Sequence, residues 1–212
     1  MGARSPSSRA VGEVIRIGPA PMLKARGYRR TARTFFQHEG ELYKVVNFQA
    51  SRWNSPDCAE FTVDLSVVLP FFHEMWTGRT FPRNPGSAAP MVQERIGTLM
   101  PTGRDHWWEV RAEVNVSAVA EEVRESLEKY GLPYLDSNAS TVALMERLES
   151  GLALPGVLPP HPLLCRAILL TYYGCLQEAG EAIRSLAQSN THEGFGQTII
   201  AIAGRLGLEV AS

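Results

Sequence analysis

Residues 45–54 read VVNFQASRWN and alternate between two kinds of side chain, which is the pattern of a β-strand. Alternation places amides and hydroxyls on one face of that strand and apolar groups on the other. The first face carries Val45, Asn47, Gln49 and Ser51, and the second carries Val46, Phe48 and Ala50. The segment FTVDLSVVL, residues 61–69, repeats this alternation, with Asp64 on its polar side. Together the two segments predict an antiparallel sheet with one face packed against helices and one hydrogen-bonding face.

Further strands are indicated on both sides of this pair. In all, we predict strands at residues 31–38, 41–50, 60–69 and 93–100, all antiparallel neighbours. Residues 105–114 are a fifth such strand or a short turn that leads into one. Gly40 lies at the turn of a hairpin between the first two. Residues 70–90 contain four prolines and two glycines, which indicates a long irregular excursion from the sheet.

From residue 117 the apolar period changes from two to about 3.6, which is typical of helices. Helices are predicted at residues 22–26, 117–130, 140–150, 163–173, 177–189 and 196–206, with Gly131 ending the second. The fold class is therefore α+β: a single antiparallel sheet of four to five strands packed on helices, with a C-terminal helical extension. We predict a disordered tail at residues 1–10, a core domain at 11–135 and a helical region at 136–212 that packs on the core or follows it.

Composition excludes several classes of protein. The chain has 21 basic and 22 acidic residues, and this net charge of -1 lacks the footprint of a general nucleic-acid binder. Three cysteines without a CxxC pair predict neither disulfides nor a zinc site, and fit a reducing cytoplasm. The longest apolar stretch, residues 162–176, is shorter than the roughly 20 residues of a membrane span.

Sequence motifs for catalysis and cofactors are absent. The stretch HEMWT, residues 73–77, has Thr77 where the second histidine of a zinc-protease helix must stand. The sequence has neither a phosphate-binding glycine loop nor a nucleophile elbow. We therefore predict no cofactor, no metal and no catalytic residue, and the chain is more typical of a non-enzyme than of an enzyme.

The polar face of the sheet is the first candidate site. Asn47, Gln49 and Asp64 offer directed hydrogen bonds, where exposed sheets commonly carry long charged side chains. Three interpretations are open. The three side chains bond a covering loop such as residues 70–90, or they form the floor of a binding cleft, or they face solvent.

The tryptophans provide the second candidate site. Trp107 and Trp108 are adjacent, so their side chains point in different directions and one of them is expected at the surface. An exposed indole near Arg95 and Asp105 would make an aromatic rim for a partner, and Arg52 with Trp53 could do the same. Pairing Asp64 or Asp105 with His106 for acid–base catalysis is a weaker interpretation, because Asp105 and His106 are adjacent and point apart.

Five segments carry a resemblance to a known family: GYRRTARTFF (27–36), VVNFQASRWN (45–54), FTVDLSVVL (61–69), RIGTLMP (95–101) and DHWWEV (105–110). In their order and spacing they resemble the bacterial family known as domain of unknown function 4304, over roughly residues 22–135. The resemblance implies a bacterial, cytoplasmic protein with the fold described above, and it supplies no chemistry.

Three functions are open. The first is a non-enzymatic protein-binding or regulatory module, such as a toxin-neutralising protein, which uses the polar face and the tryptophans. The second is an enzyme for a small polar substrate, which requires Asn47, Gln49, Asp64 and Arg95 to converge in one pocket. The third is a helical-repeat adaptor that uses residues 163–206. We expect a protein partner, no nucleic acid, no membrane and no metal.

Overall fold

The architecture is a single antiparallel sheet of six strands packed against helices. The computed structural model describes residues 6–55, 57–111, 114–150, 161–190 and 192–209. The strands are β1 (Arg29–Thr31), β2 (Thr34–Glu39), β3 (Leu42–Ala50), β4 (Cys58–Val68), β5 (Val92–Arg95) and β6 (Trp108–Arg111). The first five follow one another in the order β1-β2-β3-β4-β5, and this confirms the predicted α+β class.

β4 is the longest strand and lies at the centre of the sheet. Along one edge it pairs with β3, from Phe61–Ala50 at one end to Val68–Tyr43 at the other. Its second edge is divided, because β6 pairs with residues 58–61 and β5 pairs with residues 64–67. β6 therefore pairs with β4 and not with β5. This differs from a sheet in which every strand pairs with the strand before it in the chain.

The two faces of the sheet are those predicted from alternation. Phe48 lies opposite Val63, and Val46 lies opposite Leu65, and all four side chains are buried. Asn47 lies opposite Asp64 on the other face. The apolar face belongs to one continuous core that also includes residues of the N-terminal and C-terminal helices.

Ten helices accompany the sheet in the part of the chain that the structure describes. They are α1 (Pro6–Ile17), α2 (Pro19–Ala25), α3 (Pro70–Thr77), α4 (Ile96–Leu99), α5 (Val116–Ser126), α6 (Leu132–Ser137), α7 (Thr141–Glu149), α8 (Pro162–Tyr172), α9 (Leu176–Ser189) and α10 (Glu193–Leu206). Helix α1 contacts α5, β4 and β6, and α8 contacts α3, α7 and α9. No helix in the described ranges is both long and apolar enough to cross a membrane.

Several expectations need correction. The first predicted strand, residues 31–38, is divided at Ala32 and Arg33 into β1 and β2, and the fifth, residues 105–114, is a strand only from Trp108 to Arg111 among its described residues. Residues 6–10 belong to α1 and not to a tail, because Ala10 and Val11 begin an apolar face that enters the core. Residues 70–77 form helix α3, and residues 96–99 form α4, so the predicted fourth strand is only four residues long. Gly131 does not end a helix: it lies in a π-helical turn, Leu127–Gly131, that continues into α6. A Cβ there would lie 3.4 Å from methyl groups of Leu65 and Ile96, so glycine permits close packing.

Lys44 connects the sheet to the helices. Its alternation places it on the apolar face, where its side chain is buried. The Nζ atom donates to Asp136 Oδ1 at 2.6 Å and lies 2.5 Å from Glu39 Oε2. Burial alone would lower the pKa of Lys44, but the bonds to Asp136 and Glu39 outweigh burial and raise it. A charged lysine is thus retained in the interior by two carboxylates.

Among the C-terminal helices, α8 and α10 contact α3. Arg205 of α10 donates from Nε to the carbonyl oxygen of Met75 at 2.6 Å and from its second terminal nitrogen to that of Trp76 at 3.0 Å. The ring of Tyr172 contacts that of Phe71 at 5.4 Å between centroids. Residues 152–162 contain four prolines, which predicts a linker, and they lie almost wholly outside the described residues.

Gly18, at the junction between α1 and α2, has no space for a side chain. A Cβ on Gly18 would lie 2.8 Å from the carbonyl carbon of Ala120 in α5, which is backbone and cannot rotate away. We expect Gly18→Ala to lower the free energy of unfolding by about 1–3 kcal/mol, as overpacked substitutions do. The control is Gly12→Ala, in open space within α1, which should raise it by about 0.5–1 kcal/mol. Urea unfolding measures both, and equal effects would contradict this account of the junction.

Candidate functional site

Polar side chains form a row across four strands of the sheet. Thr34, Asn47, Asp64 and Arg95 are cross-strand partners on β2, β3, β4 and β5. The Thr34 hydroxyl donates to Asn47 Oδ1 at 3.0 Å, and Asn47 Nδ2 donates to Asp64 Oδ2 at 3.5 Å. Arg95 Nε lies 3.5 Å from Asp64 Oδ1. We call these four residues the polar row.

The polar row continues into the loop that precedes β6. Arg95 donates to Asp105 Oδ2 at 2.6 Å, and the same oxygen accepts from Trp107 Nε1 at 2.9 Å. The Arg95 guanidinium also lies over the Trp107 ring, 5.4 Å from its centroid. Each of these groups therefore has its partner within the sheet and its flanking loop, and the row holds Trp107 in one orientation.

The adjacent tryptophans point to opposite faces, as predicted. Trp108 is 3% exposed and stacks on Phe61 in the core, so it is not part of a surface rim. Trp107 is half-buried on the polar side. His106 lies on the same side of the sheet as Trp108, the side that faces the helices, and its Nε2 lies 3.7 Å from Glu122 Oε1. Asp105 and His106 accordingly do not form an acid–base pair.

Trp53 is the most exposed large apolar side chain among those described, with 81% of its surface in solvent. The Arg52 guanidinium lies 5.1 Å from the centroid of its ring. A groove of about 560 Å³ connects it to Trp107 and is also lined by Gln49, Ala50, Ser51, Arg52 and Glu60. We call this groove and its lining the tryptophan corner.

The loop that presents Trp53 is held by bonds between side chains and backbone. Trp53 N donates to Ser51 Oγ at 3.2 Å, and Glu60 N donates to Asn54 Oδ1 at 2.7 Å. Asn54 Nδ2 returns a bond to the Glu60 carbonyl oxygen at 3.1 Å. Residues 51–54 are therefore held in place by side-chain bonds of the loop itself, although the indole of Trp53 is exposed.

The segment after α3 covers only part of the polar face. Phe81 stacks on Tyr43 at 5.3 Å, and a 3₁₀ turn, Pro85–Ser87, places Gly86 against the Thr34 methyl group. His73 anchors this segment, because its Nδ1 accepts from Ala89 N at 2.8 Å. The described residues contain no cluster with the composition of a metal site.

One family model matches the part of the chain that forms the sheet. The model of the domain of unknown function family DUF4304 matches residues 19–137, more than half of the chain. The chain belongs to this family. No curated protein and no solved structure matches it significantly. The matched DUF4304 region runs from α2 to α6 and includes the whole sheet and the tryptophan corner, whereas α1 and α7 to α10 lie outside it.

Most residues of this site are predictable from the sequence, but the bonds between them are not. Of the residues predicted on the polar face, Asn47 and Asp64 are joined in the polar row, and Gln49 is separate and exposed. Arg95, predicted beside the tryptophans, joins the same row through Asp64. Thr34 was missed, although its alternation with Phe35 would have placed it on the same face. Asn47 lines a groove beside Arg30, while Gln49 lines the tryptophan corner, so these two amides of β3 line different grooves.

Asp64 allows a test of the polar row. Burial raises the pKa of its carboxyl above the usual range, and the Arg95 guanidinium and the Asn47 amide offset part of that rise. The native carboxyl thus retains its proton at a pH where the unfolded one has lost it, and stability falls as pH rises through that window. We expect the stability of the protein relative to its Asp64→Asn variant to decrease from roughly pH 3 to pH 7. Urea unfolding at several pH values measures this difference, and an increase would contradict the assignment.

Proposed function

We propose that this DUF4304 protein is a non-enzymatic binding module whose tryptophan corner holds a protein partner. The single observation that carries the proposal is Trp53, which is 81% exposed on a loop ordered by its own hydrogen bonds. An exposed indole brings no benefit to folding, and tryptophan and arginine are enriched at the energetic centres of interfaces. An ordered loop also loses little entropy when a partner binds.

The lining of the corner indicates the kind of partner. The indoles of Trp53 and Trp107 provide apolar surface, Arg52 provides an exposed cation and Glu60 an exposed anion. A matching partner presents an apolar side chain to the groove, an acidic group near Arg52 and a basic group near Glu60. Binding of this kind is sufficient for a regulatory or toxin-neutralising role. We place the protein in the cytoplasm, where thiols such as those of Cys58 and Cys175 stay reduced.

The experiment captures the partner at the proposed surface. A photo-crosslinking amino acid replaces Trp53 in one variant and Leu176 in another. Leu176 is the control, because it is also exposed, at 54%, but lies on α9. We expect a specific crosslinked protein from position 53 and not from position 176. Mass spectrometry identifies that protein, and equal yields from both positions would count against the corner.

Binding of the purified partner is then measured by calorimetry. We expect Trp53→Ala to weaken it at least tenfold, since truncation of a central aromatic side chain costs about 2 kcal/mol or more. Leu176→Ala serves as the matched control and should leave the affinity unchanged. If Trp53→Ala binds as tightly as the unaltered protein, the proposed function is wrong.

A further inference from the structure

Basic residues are concentrated at the start of the chain. Residues 1–38 contain eight of its 21 lysines and arginines but only one of its 22 aspartates and glutamates, Glu13. The near-neutral net charge therefore conceals a strongly basic first segment and an acidic remainder. Such asymmetry is typical of chains that bind phosphate-rich ligands.

The fold gathers part of this charge around a groove at the β1 edge of the sheet. Lys24 of α2 lines it together with Arg29, Arg30 and Arg33 of the β1–β2 hairpin. The groove has a volume of about 1030 Å³. Thr34 and Asn47 of the polar row also line it and add a hydroxyl and an amide. We call it the basic groove.

Carboxylates are missing from the described lining of the basic groove. Lys24 and Arg29 form no salt bridge with any residue that the structure describes. Arg30 is oriented by its own hairpin: Nε donates to the Ala32 carbonyl oxygen at 2.7 Å, and the guanidinium lies 5.2 Å from the centroid of Phe35. Cationic side chains that line one groove favour binding of an anion there, and guanidinium groups bind phosphate oxygens in pairs.

The turn that carries these arginines is strained. Ala32 has a φ of 53°, in the left-handed region that residues with a side chain rarely adopt. The two-residue connection Ala32–Arg33 places Arg30 and Arg33 at the mouth of the same groove. Strain of this order is retained only where the surrounding structure holds it.

An aromatic pocket adjoins the basic groove. A second groove of about 750 Å³ shares Arg29 with the first, and Phe36, His38, Tyr43, Phe81 and Arg83 line it. The rings form a stack, with His38 and Tyr43 at 4.5 Å and Tyr43 and Phe81 at 5.3 Å between centroids. Arg29 pairs with Phe36 across the strands, so it lies between the basic and the aromatic part.

We propose that the basic groove and the aromatic pocket together bind a nucleotide, with the phosphates on Lys24, Arg29, Arg30 and Arg33 and the base against the aromatic rings. Cationic side chains beside stacked aromatic rings are the combination by which proteins hold single nucleotides and single strands. The shared chemistry is a phosphate next to a heteroaromatic ring, whether the nucleotide is free or part of a single strand.

Protection of the sheet edge is the competing explanation, since charged residues on a short edge strand prevent pairing with other chains. It accounts for Arg29 and Arg30 on β1. It does not account for Lys24 on α2, nor for the aromatic lining of the neighbouring pocket. Edge protection alone also predicts no affinity for phosphates beyond nonspecific attraction.

The test measures binding to the full chain by calorimetry and by fluorescence anisotropy, with three probes. The probes are ATP, inorganic tripolyphosphate and a labelled ten-nucleotide single strand. We expect ATP to bind more tightly than tripolyphosphate because of its base, and the logarithm of the affinity to decrease linearly with the logarithm of salt concentration. A strand that binds more tightly than ATP identifies a nucleic acid as the source of the nucleotide, and ATP as the tighter ligand identifies a free nucleotide.

Variants separate the two halves of the site. Arg29→Gln with Arg33→Gln should weaken ATP at least tenfold, while Lys129→Gln with Arg184→Gln removes the same charge elsewhere and should leave binding unchanged. Phe81→Leu should remove the preference for ATP over tripolyphosphate. Ala32→Gly relieves the turn and keeps every charge, so it should retain binding.

Three results would overturn the proposal: no binding of ATP or strand at low salt, equal losses in the two double variants, or equal affinity for ATP and tripolyphosphate. Circular dichroism verifies that each variant is folded. Trp53→Ala should bind ATP normally, and the arginine variants should keep the protein partner. Failure at one surface is thus distinguishable from failure at the other.

Discussion

The structure depends on the full pairing of β4, which has hydrogen-bonded neighbours along both edges and a buried face beneath it. A strand held in this way cannot shift its register by one residue without exchanging its two faces. Such a shift would move Phe61, Val63 and Leu65 out of the core and Asp64 into it. The buried carboxylate would then lose Asn47 and Arg95, so the fixed register of β4 is the origin of both the core and the polar row.

The alternation of the strands was predictable because it is a local property of the chain. The alternation within residues 45–50 and 61–68 is enough to assign each side chain to one face of the sheet. The adjacency of Trp107 and Trp108 is likewise enough to show that their side chains point apart. The polar row was not predictable, because Thr34, Asn47, Asp64 and Arg95 are brought into line by register between strands that lie far apart in sequence. The division of β4 between β5 and β6 is likewise set by tertiary packing, since nothing in residues 93–100 indicates that pairing stops at Arg95.

Residues 96–99 form helix α4 where a strand was predicted, and Gly97 lies within this helix. A Cβ at this position would lie 2.5 Å from the Arg104 carbonyl oxygen and 2.7 Å from the His106 Cβ. Glycine therefore permits residues 104–106 to pass directly beside residue 97, just after the chain leaves the sheet at Arg95. Asp105 and Trp107 reach Arg95 for this reason, and the tryptophan corner depends on a glycine that a pattern of apolar residues does not distinguish.

The amides of β3 serve two different surfaces. Asn47 bonds Thr34 and Asp64 and lines the basic groove, whereas Gln49, two residues further along the same face, is exposed in the tryptophan corner. The polar row runs from Thr34 at the basic groove to Arg95, and through Asp105 to Trp107 at the corner. Because every step of this path is a hydrogen bond or an ion pair between paired strands and one loop, the distance between the two surfaces is fixed by the sheet. A ligand at either proposed surface would therefore contact a face of β3 that these bonds hold in place. Short amides suit this position because they bond laterally without the entropy that long charged side chains would lose.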